Sequence, residues 1–221
     1  SEAEADAWQQ QQKQRRQLRA RLARSGHTST LLDEMGLLVV VGGLMDDEGE
    51  EAEAAHGENG NTPISVLIVG LPSIQVSAPV VEGPNPAPPA RYRHAAARVP
   101  LRALGPREVA ALAGPQGSAD DFTSGAVVAL HGGYHGSTVY GGLLLLWVGP
   151  GGARVRWAEA ETLGDPPPAC FHHAMLPLRR SPVLLLVGGE TRDAHLPGGV
   201  VYSLWLPTMT WESKPTLPAP G

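Results

Sequence analysis

The sequence predicts an all-β chain made of repeated units of four short strands, and three observations carry that expectation. Gly and Pro together exceed a fifth of the 221 residues, so turns are frequent and long helices have little room. Apolar runs are short: the longest clean one, Leu143 to Val148, suits a strand and falls far below the roughly 20 residues of a membrane-crossing helix. The third observation is an internal repeat, the feature that decides the architecture of such a chain.

Each repeat opens on a histidine. Ala23 to His27, Ala90 to His94 and Ala169 to His173 all read Ala, three variable residues, His, and a small residue follows. Pro88-Pro89 and Pro166-Pro167-Pro168 precede the second and third copies. A second apolar run then ends in two glycines: Leu37 to Val41 before Gly42-Gly43, Val127 to His131 before Gly132-Gly133, Val183 to Val187 before Gly188-Gly189. The interval from His27 to Gly42 is 15 residues and from His173 to Gly188 again 15, while from His94 to Gly132 it is 38. Pro100 to Asp121 accounts for the excess as an insertion. A third apolar run and a tryptophan close the unit, with Leu143 to Val148 before Trp157 and Val200 to Trp205 before Trp211. In the first copy Ile64 to Val69 supplies the third run, and no tryptophan follows it.

Four short strands separated by turn residues are one blade of a β-propeller. The ordered set resembles the Kelch repeat: a histidine on the first strand, a diglycine closing the second, a third strand often carrying Tyr, and a Trp on the fourth. The resemblance runs from about Arg24 to Trp211, and the first copy departs from it in lacking both the Trp and the strand-three Tyr. It implies a Kelch-type β-propeller of about three blades with four antiparallel strands each. Closed propellers need four to eight blades, so the expectation is part of a larger propeller whose remainder belongs to the same longer chain. The units expected are 1–23, the last strand of a preceding blade (with Trp8 as its Trp) plus a basic Gln-rich segment, then blades at 24–88, 89–165 and 166–221.

The formal charge of −5 gives no global attraction to nucleic acid or to anionic lipid. A basic stretch over 13–24, with Leu18 and Leu22 four apart, suggests a short helix. It has no aromatic residue for base stacking, so a solvated inter-blade insertion is expected rather than a nucleic-acid site. The single cysteine, Cys170, rules out an internal disulfide and fits a reducing compartment or a fold that needs no staple. No secretory leader pattern is present, and a cytoplasmic protein is expected.

The chemistry-bearing residues read as structural. His131 and His135 are four apart, a spacing that converges on a helix, but Gly132-Gly133-Tyr134 between them is a turn. His172 and His173 point to opposite faces of a strand. Cys170 and His172 lack an orienting acid, and Cys170 aligns with Arg24 and Arg91, which are not nucleophiles. No catalytic residue, cofactor or metal site is therefore expected. His27, His94 and His173 are expected to repeat one structural hydrogen bond, with Gly42, Gly43, Gly132, Gly133, Gly188, Gly189, Trp157 and Trp211 as the remaining framework. The acidic run Asp46, Asp47, Glu48, Glu50 and Glu51 is the candidate for docking a basic partner. The Pro100 to Asp121 insertion, with Leu101, Leu104, Val109 and Leu112, is expected to form an amphipathic turn of helix.

Kelch propellers mostly serve as interaction platforms. The resemblance thus implies a non-catalytic protein-binding scaffold, a subunit or adaptor in a cytoskeletal, ciliary or ubiquitin-ligase assembly. The alternative is the propeller region of a larger enzyme whose catalytic domain lies outside these residues.

Overall fold

A computed structural model describes residues 8–13, 22–45, 63–114, 122, 124–196 and 200–215. The first part of the chain supplies strands β1 (Arg24–Ser25), β2 (Thr28–Leu32), β3 (Leu37–Val41), β4 (Leu44–Met45), β5 (Val66–Gly70), β6 (Gln75–Ser77) and β7 (Val80–Glu82). The middle supplies β8 (Ala95–Val99), β9 (Ala126–His131), β10 (Tyr134–His135), β11 (Thr138–Val139), β12 (Leu143–Val148), β13 (Arg154–Ala160) and β14 (Leu163–Gly164). The last four are β15 (Ala174–Pro177), β16 (Val183–Val187), β17 (Val200–Trp205) and β18 (Thr210–Pro215). The protein is all-β in class. Among the described residues no helix is long and apolar enough to cross a membrane.

Three sheets account for most of these strands. Their orders are β2-β3-β5-β6, then β7-β13-β12-β9-β8, then β14-β18-β17-β16-β15. Within each, neighbours along the chain pair antiparallel, as the four-strand repeat predicts. The unit boundaries differ from the expected ones, however. β7 pairs in parallel with β13, and β14 in parallel with β18, so the segment leaving one sheet becomes the outermost strand of the next. Blade limits at 88 and 165 misplace these two strands. The reason is that an exposed sheet edge offers unpaired backbone groups, and the passing linker satisfies them.

The period-2 alternation of side chains explains how the sheets stack. In the second sheet, Val127 and Ala129 of β9 and Leu143, Leu145 and Trp147 of β12 face one core, shared with the third sheet. Val128 and Leu130, with Leu144, Leu146 and Val148, face the other core, shared with Leu37, Val39, Val41 and Ile68 of the first sheet. Both faces are covered, so the run Leu143 to Val148 is apolar without alternation. The far face of the first sheet buries Val40, Leu67 and Val69, with Leu22 packed against them. Among the described residues nothing covers the far face of the third sheet, where Leu176, Val187 and Trp205 are exposed beside a groove of about 510 Å³.

Trp157 and Trp211 each lie buried on the strand before the linker-derived edge and pack toward the preceding sheet, as expected of the repeat. Trp8 does not follow. Residues 8–13 are helical and Trp8 is exposed, so this segment is not the last strand of a preceding unit. The 100–121 insertion is partly helical, over Pro106–Ala113, with Pro at its first turn where the missing N–H costs nothing. Leu104 and Leu112 from this stretch are buried in the core between the second and third sheets, with Phe122. Leu104 and Leu112 of the insertion thus help close that core.

Candidate functional site

At the inner end of each sheet the chain makes the same turn. The three residues between Ala and His alternate in burial: Arg91 is buried, Tyr92 half-buried and Arg93 exposed, followed by buried His94. Cys170, Phe171, His172 and His173 repeat this order, whereas in the first copy Arg24 is buried but Ser25 and His27 are exposed. The histidines lie one residue before β2, β8 and β15, not inside the strands as expected. The residue before each histidine has positive φ: 66° at Gly26, 57° at Arg93 and 59° at His172. Left-handed backbone strains a residue with a Cβ, yet two of the three are not glycine. Backbone hydrogen bonds hold them there. The Arg93 N–H donates to the Gly26 carbonyl at 2.6 Å and the His172 N–H to the Arg93 carbonyl at 3.0 Å, linking the three turns in series.

This geometry makes two layers. The outer one is a row of rings crossing from the second sheet to the third. Tyr92 and Tyr134 lie 4.1 Å apart, Tyr134 and Phe171 4.7 Å, and Phe171 and His172 5.1 Å, centroid to centroid. Tyr92 and Tyr134 also form a backbone bridge, as do Phe171 and Glu190. The exposed Arg93 guanidinium lies 5.6 Å from the Tyr134 ring, and the His172 ring reaches the Glu190 carboxylate at 3.2 Å. Partial burial pushes the Tyr92 hydroxyl up to about 12.

The inner layer is set by the diglycines. The Gly43 N–H donates to the Arg91 carbonyl at 3.0 Å, and the Gly133 N–H to the Cys170 carbonyl at 2.9 Å. A Cβ at Gly42 would stand 2.4 Å from the Arg91 carbonyl oxygen, and one at Gly132 2.1 Å from that of Cys170. Only glycine permits this approach of one sheet to the next. At Gly188, the third copy, a Cβ would meet nothing within 4 Å.

The expected common histidine hydrogen bond is not what these turns use. The His27 ring bonds within its own turn, to the Arg24 carbonyl at 3.1 Å. His94 Nε2 meets Thr28 Oγ1 of the preceding sheet at 2.8 Å. His173 Nε2 meets His131 Nδ1 of the preceding sheet at 3.2 Å. Burial foremost, with the Arg91 guanidinium adding to it, pulls His94 and His131 down to about 3, and burial pulls His173 down to about 4.

Cys170 completes a buried group with these rings, its Sγ 3.5 Å from His173 Nδ1 and 4.0 Å from His131 Nδ1. Sequence reasoning expected no such set, because it compared His131 with His135 and Cys170 with His172. The fold instead joins His131 to Cys170 and His173. His135 lies on β10 and His172 points outward. Burial pushes the Cys170 thiol up to about 12, so it is no activated nucleophile.

The acidic candidates Asp46, Asp47, Glu48, Glu50 and Glu51 lie outside the described residues, as does most of the basic 13–24 stretch. Sequence reasoning missed the ring row. Its one signal was the placement of aromatic and basic residues at the variable positions of the His motif and directly after the second diglycine. No family model and no curated protein matches the chain.

Proposed function

We propose that this chain is a non-catalytic, cytoplasmic protein-binding scaffold of the Kelch-propeller type. Each described sheet is one blade, and the open face of the third blade receives another. The partner site is the row Tyr92, Tyr134, Phe171 and His172 with Arg93. The observation that carries this reading is that row: tilted, half-buried aromatic rings in contact across two sheets, with a guanidinium beside them. Tyr and Arg are the side chains most enriched among residues that dominate protein interfaces. The left-handed backbone at Arg93 and His172 supports it as well, since strain tolerated at two equivalent positions is the usual mark of a functional turn. Two further features favour a propeller: the serial hydrogen bonds between inner turns, and the vacancy-free fit of each diglycine to the next turn except at Gly188.

The chemistry of the row selects its partner. It suits a peptide loop that lays an apolar or aromatic side chain on the rings and offers a carboxylate to Arg93. The test is quantitative capture from native extract with three proteins: the parent, Tyr134→Ser with Arg93→Glu, and a form in which residues 46–60 become a Gly-Ser turn. Partners captured by the parent and the loop form, but lost by the ring-row form, are the expected result. Purified, such a partner should bind the ring-row form at least about 30-fold more weakly, as an interface hot spot of roughly 2 kcal/mol requires. Equal binding to the ring-row form would overturn the assignment, and loss only in the loop form would return recognition to the acidic run.

A further inference from the structure

The two interfaces between sheets are built on the same plan but not with the same side chains. Where the second sheet meets the first, the three equivalent positions hold Val41, Arg91 and His94. Where the third meets the second, they hold His131, Cys170 and His173. Valine recurs at the third copy as Val187, and arginine at the first as Arg24. Two departures from the repeat therefore fall at one point in space, though His131 and Cys170 stand 39 residues apart in sequence. Both departures introduce metal-ligating side chains.

One ligand atom from each of His131, Cys170 and His173 lies within 4.8 Å of the others, and all three residues are buried. Three ligands held 2.0–2.3 Å from a shared ion in trigonal arrangement stand about 3.5–4.0 Å apart. The Cys170 Sγ stands 3.5 Å from His173 Nδ1 and 4.0 Å from His131 Nδ1, at the two ends of that interval.

Charge and coordination number choose the ion. A thiolate and two neutral imidazoles carry one negative charge, which a monovalent cation cancels. A divalent ion would leave net positive charge in a buried layer that already contains the Arg91 guanidinium, whose Nη1 reaches the Gly132 carbonyl at 3.4 Å. Zinc would need a water as its fourth ligand, since no fourth His, Cys, Asp or Glu joins the group among the described residues. Thiolate donors select soft ions. We propose that His131, Cys170 and His173 form a buried three-coordinate site for copper(I), clamped between the second and third sheets. On binding, the Cys170 thiol proton leaves to solvent and an S–Cu bond forms; no electron is transferred.

The experiment uses the whole chain under anaerobic, reducing conditions with copper(I) supplied as its bicinchoninate complex, and a parallel series with zinc(II). The variants restore the repeat's own residue, His131→Val, or remove only the ligand, Cys170→Ser. One copper(I) per chain should pass from the chelator to the parent, raise its unfolding temperature, and give an X-ray absorption spectrum with one sulfur and two nitrogen ligands. Both variants should lose at least about 100-fold in affinity while keeping a cooperative unfolding transition. Failure of the parent to take copper(I), a bound spectrum without sulfur, unchanged affinity in both variants, or preference for zinc(II) would each overturn the proposal. The parent's stoichiometry and spectrum decide the matter even if a variant fails to fold.

Discussion

At the scale of single residues, close approach and burial dictate what substitution does. Gly132→Ala would bring a Cβ within 2.1 Å of the Cys170 carbonyl oxygen, at a φ of 70° that alanine already resists. Overpacking together with left-handed strain should destabilise by about 3–5 kcal/mol in urea unfolding. Gly188→Ala has nearly the same φ and open space, so about 1–2 kcal/mol is expected. Similar losses at both positions would mean that the inter-sheet contact at Gly132 is not tight. Arg93→Gly should behave oppositely, relieving left-handed strain and leaving stability unchanged or up to about 1 kcal/mol higher while weakening partner binding. The buried histidines impose a pH dependence. Unfolded, each ring protonates near 6.5, whereas in the fold His94 and His131 hold out to about 3 and His173 to about 4. Above pH 6.5 both states are neutral and the rings leave stability untouched. As pH falls from 6.5 toward 4, the unfolded chain gains protons that the fold refuses, and stability drops by up to about 1.4 kcal/mol per pH unit for each ring. Denaturation midpoints measured between pH 7 and 4.5 check this, and a flat profile would contradict the burial of all three.

At the scale of elements, the helix of the insertion is the clearest test. Leu112 is fully buried between the second and third sheets, so Leu112→Ala should cost about 2–5 kcal/mol by thermal or chemical unfolding. Shortening 100–121 to the length of the third repeat should be at least as damaging, because it removes Leu104 from the core along with Leu112. The strand pattern was legible because each strand carries its evidence locally: an apolar run, a terminal diglycine, a spacing that recurs. The edge strands β7 and β14 were not, since a two- or three-residue segment such as Leu163–Gly164 has no periodicity and pairs only because an edge passes by. The ring row and the His131–Cys170–His173 group stayed hidden for a related reason. Tyr134 meets Phe171, and His131 meets Cys170, only through the docking of two sheets, and no spacing within one repeat encodes that docking.

At the scale of the whole molecule, the two ends of the stack differ. Leu22 packs on the buried outer face of the first sheet, while Leu176, Leu178, Val187 and Trp205 leave the third exposed. An apolar face of this kind beside a groove drives association. Sedimentation should show oligomers that grow with concentration, and Trp205→Lys with Leu176→Lys should shift the chain toward monomer without loss of its β signal. A concentration-independent monomer in the parent would count against an incomplete stack. The linker-derived edges have a consequence for how the molecule is made. During synthesis β7 emerges before any other strand of the second sheet, and β14 before any other strand of the third. Each sheet therefore hands its successor a finished border on the ribosome, and assembly proceeds in a fixed direction. The nascent chain always trails one strand with no partner until the next three hairpins have been translated, and this waiting strand is where a chaperone would find its hold.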